Sequence, residues 1–312
     1  MALALRRPSV EPVAPAATSL RAVDVLLLGY LGIVSVVAVV RLFPRPECWW
    51  LLLAHGLFVL LLFLLTRPGL GRGGRTIREI YPVILLPGLY GELDILNSGS
   101  IVVHDLLVQR WELWVFGTQI SQEWRQLAPS LFWSTTLHAA YLSYYLIVSV
   151  PALYLAWKGE LAALRRFVLV VMTTFVVCYL VFIFFPVAGP YYTFPPPPDW
   201  FTSNVPARMV YDALSAGSSY GAAFPSSHVA AALAATLAAA RFSRRAGFFL
   251  LVPTLLLTLG VVYCQMHYGV DALAGLIIGA LVSMIVGRKS VSGNDKGVSR
   301  SQPIRTGELQ AR

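Results

Sequence analysis

Two short segments carry side chains whose types and spacing can act on a phosphate: Phe224-Pro225-Ser226-Ser227-His228 and Tyr263-Cys264-Gln265-Met266-His267-Tyr268-Gly269-Val270-Asp271. Pro225 followed by two serines reads as a helix start. Unpaired backbone N–H groups and the positive end of the helix dipole make such a start an anion site, with the Ser226 and Ser227 hydroxyls as further donors. His267 and Asp271 stand four apart, so on a helix they share a face and the carboxylate can orient the imidazole. A histidine held at one nitrogen offers the other as nucleophile or base. His228 is then the second histidine, able to protonate a leaving oxygen. Either pattern alone is weak; their order, on one side of an apolar hairpin, points to one catalytic group. An ionised Asp271 at the end of an apolar span is costly unless it has a partner. His55, His104 and His138 read as ordinary hydrogen-bonded residues near helix ends.

The elements that must position these groups are membrane spans. The chain of 312 residues is 57% hydrophobic and 12% charged, with a mean hydropathy of +0.69, which excludes a soluble domain of ordinary composition. Apolar runs near 23–40, 48–66, 79–96, 131–156, 164–185, 226–240, 247–264 and 269–287 approach or reach the ~20 residues a crossing helix needs. The expected fold is therefore all-α, a polytopic transmembrane bundle of about six to eight spans. The third run is the weakest, because Pro82, Pro87 and Gly91 interrupt it and Glu92 and Asp94 close it, so it can equally be a broken or re-entrant helix. Ala230 to Ala240 is almost all alanine, and Asp271, Gly275 and Gly279 share a face; the spans carrying His228 and His267 are expected to pack directly.

A net charge of +9 raises the question of a nucleic-acid partner, and the placement of the charges argues against one. With eight spans, the N-terminus, Arg67 to Arg78, Lys158 to Arg166, Arg241 to Arg245 and the tail from Arg288 hold 19 of the 24 Lys and Arg residues. That asymmetry expects both termini in the cytoplasm and the histidine segments on the periplasmic, extracellular or lumenal side. Of the two long outer connections, 97–130 has the aromatic and apolar spacing of an interfacial helix, and 186–225 cannot be regular helix across Pro195 to Pro198. Cys48, Cys178 and Cys264 are scattered and suggest neither disulfides nor a metal knuckle. No cleavable leader is expected, the run from Val23 remaining as an anchor.

The two segments resemble the second and third motifs of the type 2 phosphatidic acid phosphatase superfamily of membrane phosphoesterases and phosphotransferases. Pro225 to His228 matches Pro-Ser-Gly-His with Ser227 in place of Gly, and His267 with Asp271 matches the end of Ser-Arg-x5-His-x3-Asp. The resemblance implies His267 as the nucleophile that becomes phosphorylated, Asp271 as its orienting partner, His228 as acid for the leaving group and Ser226 as a phosphate ligand. The departures are Val261, where an arginine is expected, and a missing first motif, Lys-x6-Arg-Pro. Lys158 and Arg165 reproduce its spacing, but Arg166 follows and the segment lies on the expected cytoplasmic side. Arg208 and Arg125, both on the outer side, are the basic residues available to replace the lost phosphate ligands; either also reads as a surface or lipid-headgroup contact.

PSSHVA, YCQMHYGVDALAG, ELDILN and FPVAGP are together more similar to the inositolphosphotransferase branch, which includes the inositol phosphorylceramide synthases of sphingolipid metabolism, over roughly residues 80–287. The resemblance implies a lipid phosphotransferase that moves a phospho-headgroup from a phospholipid to a lipid alcohol, with no cofactor and no metal. The expected organisation is a cytoplasmic segment 1–22, a membrane phosphotransferase or phosphatase domain 23–287 and a disordered cytoplasmic tail 288–312. With water as acceptor the same residues would hydrolyse phosphatidate or prenyl phosphates. Two other readings use the same residues: a zinc site of His228, His267 and Asp271, weakened by the lack of a general-base Glu beside them, and a transporter or scaffold with a polar pathway.

Overall fold

A computed structural model describes residues 20–67, 69–97, 102–217 and 220–288. Their regular structure is helical, and six helices are long and apolar enough to cross a membrane. The chain opens with α1 (Ala22–Arg41) and α2 (Cys48–Leu65). The third apolar run forms two helices, α3 (Arg72–Ile84) and α4 (Leu86–Asn97), meeting at Leu85. Pro87 lacks the N–H that a continuous helix would use there. The run is therefore broken, the second of the two arrangements its prolines allow.

The connection between α4 and α7 contains α5 (Asp105–Phe116) and α6 (Ile120–Leu127), separated at Gly117, whose φ of 74° ends α5. On α5, Leu106, Leu113 and Trp114 are exposed while Asp105, Val108 and Glu112 are buried, the amphipathic pattern of an interfacial helix. Two long spans follow, α7 (Leu131–Lys158) and α8 (Leu161–Phe184). Ser130 caps α7 by accepting the Trp133 N–H, and Gly159 closes it with a φ of 73°. The connection that follows α8 holds three short helices, α9 (Pro190–Thr193), α10 (Asp199–Thr202) and α11 (Val205–Gly217), with Pro195 to Pro197 outside all of them and Pro198 capping α10.

The last three helices are α12 (Ser227–Phe242), α13 (Arg244–Tyr263) and α14 (Gly269–Arg288). At 16 residues α12 is shorter than a full crossing, and it packs against α7, α8, α13 and α14. Its alanines explain how so many neighbours fit: Ala230, Ala231, Ala232, Ala234, Ala235 and Ala239 are all fully buried. The facing side of α14 approaches the α12 backbone directly. A Cβ on Gly275 would stand 2.6 Å from the Ser226 carbonyl oxygen, and one on Gly279 would stand 2.5 Å from that of Ala230. Lipid supplies no hydrophobic drive between spans, so close packing of small residues has to hold them together. The two spans that carry the histidine segments thus pack directly.

The opposite end of the bundle is held by charge. Asp24 of α1 accepts from Arg78 and Tyr81 of α3, and Glu79 pairs with both Arg21 and Arg165, at 3.0 and 2.8 Å. This network ties α1, α3 and α8 at the end away from the histidines.

Candidate active site

The α13–α14 connection is pinned at both ends before it presents its histidine. The Met266 and His267 N–H groups both donate to the Val261 carbonyl, at 3.0 and 2.9 Å. Gln265 takes a φ of 62°, unusual for a residue with a Cβ. Its buried amide offsets this by donating to the Pro190 and Pro195 carbonyls, at 3.3 and 3.1 Å.

His267 is 5% exposed, and its Nδ1 lies 2.9 Å from the Ala223 carbonyl oxygen. A carbonyl only accepts, so Nδ1 carries the proton and Nε2 keeps its lone pair. Asp271 is fully buried and its Oδ2 stands 3.5 Å from the same Nδ1, while accepting the Tyr268 N–H at 2.8 Å. The shorter contact to the His267 ring is therefore the backbone of Ala223, with Asp271 behind it. Ala223 is itself placed by a short clip in which Val187 donates to Gly221 and Ala223 donates to Val187, at 3.1 and 2.9 Å. Burial, with His228 alongside, pushes the His267 imidazole down to about 3, so the ring is neutral at ordinary pH.

His228 sits in the first turn of α12, its ring centroid 5.8 Å from that of His267. Its Nε2 meets the Tyr141 hydroxyl at 3.2 Å, and its Nδ1 has no partner among the described residues. Tyr141 and Tyr144 pack on the ring, with centroids at 4.9 and 4.6 Å. Ser226 is the N-cap of α12: its Oγ accepts the Val229 N–H at 3.4 Å and its own N–H donates to the Asp271 carbonyl at 3.0 Å. Ser227 and His228 open onto a cavity of about 390 Å³ between α3, α4, α7, α8, α11 and α12. Apart from those two residues its walls are mainly apolar and aromatic, with Tyr90, Tyr144, Phe175 and Tyr179 prominent. Its size falls in the ordinary range for ligand pockets.

The structure thus brings His228, His267, Asp271, Ser226 and Ser227 together and leaves both arginines outside that group. Arg208 is exposed on α11. Arg125 is 6% exposed, lies over the Phe201 ring and reaches the Pro195 carbonyl at 3.5 Å. Neither lines the cavity. Among the described residues, no three His, Cys, Asp or Glu side chains are placed to hold a metal ion. His55 lies between Ser35 and Glu92, at 2.7 and 3.2 Å, His104 stacks on Phe185, and His138 bonds the Ser134 carbonyl at 2.7 Å.

Four residues of the site escape the sequence reading. Tyr141 and Tyr144 carry no signal, since tyrosines on an apolar helix are common. Asp105 and Glu112 do carry one: seven apart on a helix, they share the face opposite its exposed aromatic residues.

A helical membrane bundle that holds two histidines beside a helix N-terminus, next to an apolar cavity, has the layout of a membrane phosphoesterase or phosphotransferase. A family model described as the PAP2 superfamily matches residues 107–285, more than half of the chain, and the chain belongs to that superfamily. No curated protein and no solved structure gives a match.

Proposed function

We propose that the protein is a lipid phosphotransferase that moves a phospho-headgroup between lipids through a phosphohistidine on His267. The observation that carries this reading is the His228–His267 pair, of which His228 opens onto the apolar cavity at the start of α12. Members of the superfamily are phosphatases or phosphotransferases. The cavity's apolar walls, with Val83, Leu86, Val148, Val210 and Leu214 among them, suit a lipid tail.

In the proposed cycle the Nε2 lone pair of His267 attacks phosphorus while the bond from phosphorus to the lipid oxygen breaks. His228, protonated once the negative charge of the bound phosphate lies beside it, gives that oxygen its proton, and a lipid alcohol leaves. An acceptor hydroxyl then attacks the phosphohistidine, returns its proton to His228 and frees His267. The start of α12, with Ser226 and Ser227, binds the phosphate oxygens, and Asp271 holds the connection that carries His267. Arg125 and Arg208 do not line the cavity, and the cycle is written without them. The motif resemblance to the inositolphosphotransferase branch supports transfer over hydrolysis, and the charge asymmetry of the connections supports an outward-facing site with cytoplasmic termini.

Detergent-purified protein incubated with a phospholipid panel, with and without lipid alcohols, tests the reading. Headgroup transfer, and an acid-labile phosphoryl adduct that is absent in His267→Ala, are the expected results. Release of free phosphate alone from lipid monophosphates would make it a phosphatase. No turnover of any lipid, together with unchanged biological function in His267→Ala, would leave a transporter or scaffold.

A further inference from the structure

The two buried carboxylates of α5 lie outside the proposed phosphoryl chemistry, yet both end on the segments that position His267. Glu112 is fully buried; its Oε2 accepts the Gly269 N–H at 3.0 Å and its Oε1 accepts the Ser121 N–H at 2.7 Å. Gly269 is the first residue of α14 and Ser121 the second of α6, so one side chain caps two helix N-termini and lies at the positive end of both dipoles. Two turns earlier on the same face, Asp105 accepts the Ala188 and Gly189 N–H groups, both at 2.8 Å, and the Tyr268 hydroxyl at 2.9 Å. The approach to α14 is close: a Cβ on Gly269 would stand 2.6 Å from the Phe116 ring and 2.9 Å from Ile120. Tyr268 and Gly269 directly follow His267, leaving the imidazole little freedom relative to whatever α5 holds.

We propose that Glu112 is a positioning residue for phosphoryl transfer: by holding the N-terminus of α14 against the interfacial helix α5, it fixes the imidazole of His267 relative to His228. Only a carboxylate presents two acceptor oxygens to two N–H groups from different segments; an amide of the same shape turns a donor toward one of them. The catalytic half of this proposal rests on His267 being the nucleophile, whereas its geometric half does not. A displacement of about 1 Å at a reacting group commonly costs one to two orders of magnitude in rate.

Full-length Glu112→Gln, purified in detergent and labelled with 15N-histidine, separates the two halves. The His267 signal is identified by its loss in His267→Ala, and the distant His55 serves as internal control. Glu112→Gln is expected to shift and broaden the His267 signal, to leave that of His55 in place, and to lower kcat about tenfold with KM within twofold, read on the phospholipid turned over fastest by wild type. A His267 signal unchanged in position and width overturns the proposal, as does a shifted signal with unchanged kcat. Wild type without phosphoryl activity refutes the phosphotransferase reading and with it the catalytic half, while the His267 signal still decides the geometric one. Should Glu112→Gln not fold, Glu112→Asp, whose shorter arm can satisfy only one of the two N–H groups, is judged by the same readouts.

Discussion

At the residue scale the site turns on which nitrogen of His267 is free. The Ala223 carbonyl takes the Nδ1 proton, and Nε2 is left as the only nucleophilic position. His267→Ala should lower phosphoryl transfer at least about 10³-fold, since it removes the attacking atom itself. Asp271→Asn keeps the shape and replaces the carboxyl group whose oxygen lies 3.5 Å from Nδ1, so a smaller loss, about 10²-fold, is expected in the same assay.

The neutral state of His267 also sets a pH dependence of stability. Its folded value of about 3 lies below the ordinary 6.5, so between these limits the unfolded chain binds the additional proton. Stability contributed by the neutral ring is complete above about pH 6.5 and declines as pH falls toward 3. From pH 7 to pH 5 the loss is about 2 kcal/mol. Thermal unfolding in detergent at the two pH values measures it, and His267→Gln should show a correspondingly shallower decline.

At the element scale the contact between α12 and α14 decides whether the histidines meet. Gly279→Leu would place a side chain where the Ala230 carbonyl oxygen lies and should destabilise the fold by about 1–3 kcal/mol while abolishing activity. Leu281→Ala, on the exposed side of the same helix, should leave both nearly unchanged. Detergent melting curves of the two variants make the comparison. The small-residue face of this pair is legible from spacing alone, because it depends only on helical periodicity. The break at Leu85 is legible as an ambiguity: prolines announce that a helix is interrupted, but the position of its halves depends on α8, which begins only at Leu161.

At the scale of the whole molecule, the cavity between α3, α4, α7, α8, α11 and α12 is assembled by packing distant segments of the chain. Filling it with Ala213→Trp should raise KM for a long-chain lipid phosphoester at least about tenfold and spare a short-chain one, which tests whether the cavity holds the lipid tail. Orientation has an independent check. The native cysteines are buried, so Ser203→Cys and Arg245→Cys give clean sites for a membrane-impermeant maleimide in intact cells. Labelling of Ser203→Cys alone is expected; labelling of Arg245→Cys alone would invert the topology.

The local chemistry of the chain determines, by itself, its helical, span-rich character, the two faces of α5, the start of α12 and the kinship of the His228 and His267 segments. Hydropathy, proline chemistry and helical spacing act over a few residues and need no knowledge of neighbours. Only the tertiary structure decides what each group touches. Ala223 and His267 are 44 positions apart, Tyr141 and His228 are 87, and Glu112 and Gly269 are 157. Packing of the connections likewise carries Arg125 onto the Phe201 ring and leaves Arg208 at the surface. Such pairings come from the folded bundle, in which buried polar groups must find partners wherever packing brings them.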